Sequence, residues 1–219
     1  MSETGWVPIA LSRCIAPGTS AGTAVHGAEI VVWRDTGGKA HAWEDRCPHR
    51  GMKMSFGFVR GDHIACLYHG WEYDETGTCR YIPAHPDLEV PPSICVTRYA
   101  VAEAGGMIWT ALPLGEMPEV GPNAPEMDGL RSLYIDAPLD AVLAGLHTLA
   151  LQVTQTGSLI TATLGETRPT LGLHSIDADH SALHITLPSD TPTAIRLSLL
   201  DQLATLRRDV EAPLKETAQ

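Results

Sequence analysis

The sequence predicts an all-β domain with long loops, followed by a small α+β domain. Three observations carry this reading. All five Trp, both Phe and four of the five Tyr lie before residue 111, and only Tyr134 follows. The segment LPLGEMPEVGPNAPEMDGL, Leu112–Leu130, holds Pro113, Pro118, Pro122 and Pro125 with three Gly, the composition of a linker. Before it the apolar residues fall in short runs broken by turns; after it a helical period enters.

The elements follow in order. AEIVVWRD, KAHAWED, DHIACLY, GWEYD and GMIWTAL are rich in β-branched and aromatic residues, and TGGK, RGD and DETG punctuate them as turns. No stretch of this half keeps a 3.6-residue period over three turns. SLYID opens the second half as a strand. Asp136-Ala-Pro138 then reads as a helix start, with Asp as N-cap and Pro in the first turn, and LDAVLAGLHTL continues it. LALQVTQ, SLITATL, TLGLHSI and ALHITLP read as strands. Thr193–Ala212 reads as a helix with Leu199, Leu203, Leu206 and Val210 on one face. The order β-α-β-β-β-β-α is that of an α+β domain. The expected division is residues 1–114, a linker 115–130, and residues 131–219.

The chain has 219 residues, 44% of them hydrophobic and 19% charged, as in globular proteins. No apolar run approaches the roughly 20 residues of a membrane span. The start MSETGWVPIALSRC lacks the basic and apolar regions of a signal peptide, so a cytoplasmic location is expected. The formal net charge is -11. Residues 1–110 carry 9 basic and 12 acidic side chains, against 6 and 14 in the remainder, so the excess sits in the second half. This argues against nucleic acid or an anionic membrane as partner. Five cysteines, an odd number, argue against a disulfide framework and toward metal ligation or buried thiols. Cys14, Cys79 and Cys95 are expected as small core residues, and His41 and His63 as ordinary half-buried histidines.

The chemistry concentrates in CPHRGMKMSFGFVRGDHIACLYHGW. Cys47-Pro48-His49 is followed, after 16 residues, by Cys66-Leu67-Tyr68-His69. Two soft thiolates and two imidazoles could hold zinc. They could also hold a [2Fe–2S] cluster, with both Cys on one iron and both His on the other. Zinc knuckles pair Cys with Cys and His with His, unlike Cys-x-His with Cys-x2-His. Each pair is followed by a glycine, Gly51 or Gly70, which lets backbone N–H groups approach bridging sulfides.

With their neighbours these residues resemble a known family. CPHRG and CLYHGWEYDETGTCRYIPA, closed by GMIWTALP with Trp109, resemble the Rieske domain of ring-hydroxylating and related Rieske non-heme iron oxygenases. The resemblance covers about Gly5 to Leu114, roughly half the chain. It implies an all-β Rieske fold, with Cys47 and Cys66 on the inner iron and His49 and His69 on the outer. Respiratory Rieske proteins add a Cys to each loop; here Met52 and Tyr68 stand nearby and no such pair exists. Trp71 follows Gly70 where those proteins have Ser, so a hydroxyl donor to sulfur is expected to be missing. Its loss should place the potential near the lower end of the Rieske range of about −150 to +300 mV.

The oxygenases so resembled carry a second, mononuclear iron held by two His and one carboxylate. Asp177, His180 and His184 are the nearest match. Three features weigh against them. The stretch HSALHITLP alternates like a strand, with His180 and His184 on a solvated face. Only 35 residues follow His184. No late Asp or Glu stands in the third ligand's context. The second domain resembles a truncated helix-grip fold, through YIDAPLDAVLAGL and the final amphipathic helix. The favoured expectation is an iron–sulfur oxidoreductase that transfers one electron, without its own mononuclear Fe(II). Its donor would be a reductase or ferredoxin, its acceptor an oxygenase subunit, and its assembly a homotrimer. The alternatives are a compact terminal monooxygenase or dioxygenase acting on a small organic substrate, and a non-catalytic scaffold subunit.

Overall fold

A computed structural model describes residues 5–149, 152–163 and 167–217. Eleven strands precede the Pro/Gly-rich segment: β1 Gly5–Leu11, β2 Thr19–Val25, β3 Ala28–Arg34, β4 Ala40–Glu44, β5 Phe58–Arg60, β6 His63–Ala65, β7 Glu72–Asp74, β8 Cys79–Tyr81, β9 Arg98–Tyr99, β10 Val101–Ala104 and β11 Met107–Leu112. They form three antiparallel sheets, ordered β1-β11-β10, β2-β3-β4-β9 and β5-β6-β7-β8. The only helical turns among these described residues are two short 3-10 turns, Ser12–Cys14 and Met54–Phe56. Both expectations for this half, β-rich and without long helices, hold.

After the segment come β12 Asp128–Ile135, α1 Leu139–Leu149, β13 Gln152–Thr156, β14 Leu159–Thr163, β15 Thr170–Ser175, β16 Ser181–Leu187 and α2 Thr193–Thr217. The order is the one predicted. The five strands form one antiparallel sheet, β12-β16-β15-β14-β13. Ala150, Leu151 and Leu164 of the predicted strands lie outside the described residues. Helix α1 begins later than expected. Asp136 does not cap it; its backbone N–H donates to Glu211 Oε1 at 3.2 Å, and Asp140 Oδ1 accepts from the Ala141 N–H in the first turn.

Leu199, Leu203 and Leu206 of α2 are buried against Leu183, Ile185 and Leu187 of β16. The two helices pack closely. A Cβ on Gly145 of α1 would stand 2.6 Å from Leu206 Cδ1 and 2.7 Å from Val210 Cγ1, so a larger residue there would force those side chains aside. Apolar side chains thus pack between the long helix and the middle of its sheet, and a surface groove of about 640 Å³ remains between α2 and β12, lined by Arg131, Leu133, Leu203 and Arg207.

The opposite face of that sheet is covered by the first half. Strand β1 touches β12, β15 and β16. A Cβ on Gly172 of β15 would meet Met107 Sδ and Pro8 Cγ, both at 2.6 Å. The β2–β3 turn reaches across as well: His26 N–H and Gly27 N–H donate to Ser175 O and Ile176 O at 3.0 and 2.6 Å. His26 has φ 50°, a left-handed conformation that a non-glycine residue pays for locally and that these cross-contacts hold in place. The Pro/Gly-rich segment is strapped down too. Trp6 Nε1 donates to Val120 O at 2.8 Å, and β12 begins at Asp128, inside the stretch read as linker. No helix among the described residues is long and apolar enough to cross a membrane.

Candidate metal centre

The two loops that follow β4 and β6 have the same closure. Cys47 N–H donates to Met52 O at 2.8 Å, and Gly51 N–H to Cys47 O at 2.8 Å. Cys66 N–H donates to Trp71 O at 2.9 Å, and Gly70 N–H to Cys66 O at 3.0 Å. Each loop thus spans five residues from its cysteine, although the histidine stands two places on in the first and three in the second. The closure turns on glycine: Gly51 and Gly70 have φ 73° and 70°, a region costly for other residues. At Gly70 a Cβ would also stand 3.1 Å from Pro83 Cγ.

The loops bring four side chains together. Cys47 and Cys66 are buried in an apolar core with Trp43, Met54, Ile64 and Tyr73. His49 is half-buried and His69 exposed, with ring centroids 4.6 Å apart. Trp71 lies flat on His49 at 4.2 Å and 4°, and Tyr68 leans on His69 at 3.8 Å. The pair of imidazoles is therefore flanked by an aromatic ring on each side. The sulfurs face inward and the imidazoles outward.

The local field suits thiolates. Cys47 is drawn down to about 5, first by the hydrogen bond that Cys66 donates, then by Tyr73 and by the N–H groups of His49 and Arg50, against the opposing effect of burial. Cys66 is pushed up because it is that donor and because it is buried, while the N–H groups of Tyr68 and His69 pull the other way. Backbone dipoles thus converge on both sulfurs. Such donors are what bridging or terminal sulfur in an iron–sulfur centre requires.

Sequence reasoning missed one participant. Tyr73 Oη lies 3.3 Å from Cys47 Sγ, and the ring is fully buried. The hydroxyl donor expected to be missing is supplied here, from β7 rather than from the ligand loop. The signal was present in GWEYD: Trp71 and Tyr73 alternate onto one side of a strand.

The other candidates do not converge. Asp177 and His180 meet in the turn before β16, with Oδ1 and Nδ1 2.7 Å apart on exposed side chains. His184 lies within β16, fully buried, its Nδ1 2.7 Å from Ser132 Oγ. The solvated face expected for His184 is a correction, whereas His180, just before the strand, is exposed as expected. That face of β16 is covered by the first half, which a two-residue alternation cannot reveal. Instead His184 stacks beside His174 of β15, ring centroids 5.4 Å apart. Cys79 is buried as expected, whereas Cys14 and Cys95 are exposed, against expectation. His41 and His63 are both buried.

Both loops lie within a span that matches a known family. The family model of the Rieske [2Fe-2S] domain matches residues 5–92. Oxidoreductase NdmD of Pseudomonas putida is 37% identical over 149 residues, covering 65% of this chain and 25% of that protein. The 4beta-methylsterol monooxygenase of Methylococcus capsulatus is 36% identical over 113 residues, covering 50% of this chain and 30% of that one. The chain thus spans under a third of the length of these curated relatives. Among solved structures, apo dicamba monooxygenase superposes with a TM-score of 0.77 at 18% identity, covering 100% of this chain and 88% of its own. A Pseudomonas putida NdmA mutant with theobromine gives 0.66 at 20% identity, covering 95% and 80%. Residues 5–92 are a Rieske [2Fe–2S] domain, and the chain that carries it has the fold of the Rieske oxygenases.

Proposed function

We propose that Cys47 and Cys66 hold one iron and His49 and His69 the other, and that the chain is a one-electron transfer component related to the oxygenase component of Rieske systems. The observation that carries this is the matched closure of the two loops, which sets two buried sulfurs behind two outward imidazoles. When bound, the cluster supplies storage of a single electron at a potential within the Rieske range.

The chain's own residues do the rest. Trp71 and Tyr68 fix the orientation of the two imidazoles and keep water off one face of each. Tyr73 donates to Cys47 and offsets the missing hydroxyl of the second loop. His49 and His69 stand on the solvent side, so the contact with a redox partner forms there. A reductase or ferredoxin is the natural donor and an oxygenase subunit the acceptor, with a homotrimer as the assembly.

Two features favour a carrier over a complete oxygenase. Leu199, Leu203 and Leu206 pack into the core under α2, and the space left at that helix is a surface groove beside β12 rather than an enclosed chamber. Asp177 and His180 face solvent while His184 is buried with Ser132. Iron analysis of anaerobically purified protein tests the reading: two irons per chain are expected, unchanged by His180→Ala. A third iron lost in His180→Ala would instead establish the compact oxygenase. A cluster that no reductase or ferredoxin reduces would favour the scaffold subunit.

A further inference from the structure

We propose that Asp35, His41 and Glu75 form a second metal site, for a single divalent first-row transition ion, that ties the β2-β3-β4-β9 sheet to the β5-β6-β7-β8 sheet. Asp35 follows β3, His41 lies on β4, and Glu75 sits in the β7–β8 turn. One donor atom from each falls within 4.8 Å of the other two. Asp35 and His41 are buried; Glu75 is exposed.

The geometry is close to that of a ligated pair. His41 Nε2 stands 3.1 Å from Asp35 Oδ2. Two donors on adjacent positions of one ion, each about 2.1 Å from it, are about 3 Å apart. An ion can therefore replace the shared proton with little movement of either side chain. Glu75 completes a one-imidazole, two-carboxylate set on turning inward, and such a set suits Mn²⁺, Fe²⁺ or Zn²⁺.

Three further observations support the assignment. The protonation states are those a metal requires. Burial pushes the Asp35 carboxyl up, but hydrogen bonds from His41 and from the Lys39 and Gly37 N–H groups outweigh it and hold it ionised. Burial likewise holds the His41 imidazole below its ordinary value, against the pull of Asp35, so it is neutral, and an ion taking Nε2 sends that nitrogen's proton to Nδ1. A cation already docks at the third donor: Lys39 Nζ lies 2.6 Å from Glu75 Oε2, on an exposed and replaceable side chain. A surface groove of about 510 Å³, lined by Lys39, His41, Glu75, Arg98 and Tyr99, gives an ion access.

The site also communicates with the cluster core. His41 stacks on Trp33 at 4.1 Å and 17°, and Trp33 meets Trp43 edge-on at 4.9 Å. Trp33 and Trp43 share the apolar core of Cys47 and Cys66.

Mn²⁺ is the probe, because exposed Cys14 and Cys95 compete for softer ions. It is titrated into cluster-loaded protein kept oxidised, with free Mn²⁺ followed by its electron paramagnetic resonance. One ion bound per chain is expected. Glu75→Gln, an exposed change that leaves the fold alone, should weaken binding by about tenfold or more. Lys39→Ala should tighten it by removing the competing ammonium, and His180→Ala should leave it unchanged. No Mn²⁺ taken up by the wild-type chain, or equal affinity in wild type, Glu75→Gln and Lys39→Ala, overturns the proposal. A third metal in the iron count is assigned by the same variants: lost in Glu75→Gln it belongs here, lost in His180→Ala it belongs to an oxygenase site.

Discussion

His49 and His69 bring their rings within 4.6 Å at the tips of two loops; His174 and His184 bring theirs within 5.4 Å on two adjacent strands. The first pair faces solvent, with two sulfurs and converging N–H groups behind it. The second pair is wholly enclosed between the five-stranded sheet and the first half of the chain. Both nitrogens of His174 and Nε2 of His184 lack a well-formed hydrogen bond, although the Ala24 and Pro8 carbonyls face His174. Proximity of two imidazoles is common to both. What separates them is the company of anionic donors and the direction in which the nitrogens look. One arrangement offers the donor set that an iron centre needs; the other is a packed interface that favours neutral histidine.

The largest expected effect tests the first pair. Cys66→Ser should abolish the cluster, with loss of its visible absorbance and of both irons. His184→Ala should leave iron and absorbance intact, whatever it does to stability. Iron loss in the second variant would erase the distinction between the two pairs.

The next effect belongs to the enclosed pair. Burial holds His174 down to about 4, and His184 is lowered well below its ordinary value by burial and by His174. The folded chain therefore binds these protons less readily than the unfolded chain, whose histidines titrate near 6.5. Stability is complete above about pH 6.5 and is lost as the pH falls toward 4, by about 3 kcal/mol for His174 alone. Urea unfolding followed across that range in wild type and His174→Leu measures it. The variant should show a flatter acid limb, and an unchanged slope would mean that the burial of His174 is not what makes the protein acid-sensitive.

Smaller still is the cost of the loop glycines. Gly70→Ala should cost about 1–2 kcal/mol for its left-handed backbone, and more because its Cβ meets Pro83. Gly51→Ala should cost less, since its Cβ meets only the flexible Arg46 side chain at 3.5 Å. Thermal melts of the cluster absorbance rank the two, and equal losses would show that Pro83 yields. Last comes Tyr73→Phe, which removes one hydrogen bond to Cys47. The potential should fall by a few tens of millivolts, on the order of 1 kcal/mol. A potential that does not move would return the sulfur environment to the one expected from the ligand loops alone.

Much of the candidate cluster site was legible in the sequence because its determinants are local. Two Cys-and-His pairs, each with a glycine four places after its cysteine, specify two loops of one shape wherever the chain carries them. The β-α-β-β-β-β-α order was legible for the same reason, since periodicity is a property of neighbours along the chain. The tertiary structure alone decided what depends on distant partners. Tyr73 reaches Cys47 across 26 residues because β6 and β7 pair. Asp35, His41 and Glu75 meet because a hairpin and a turn from different sheets abut. His184 is buried because β1 covers a face that alternation marks as polar. A strand's period says which side chains share a face; only the packing of sheet on sheet says whether water reaches it.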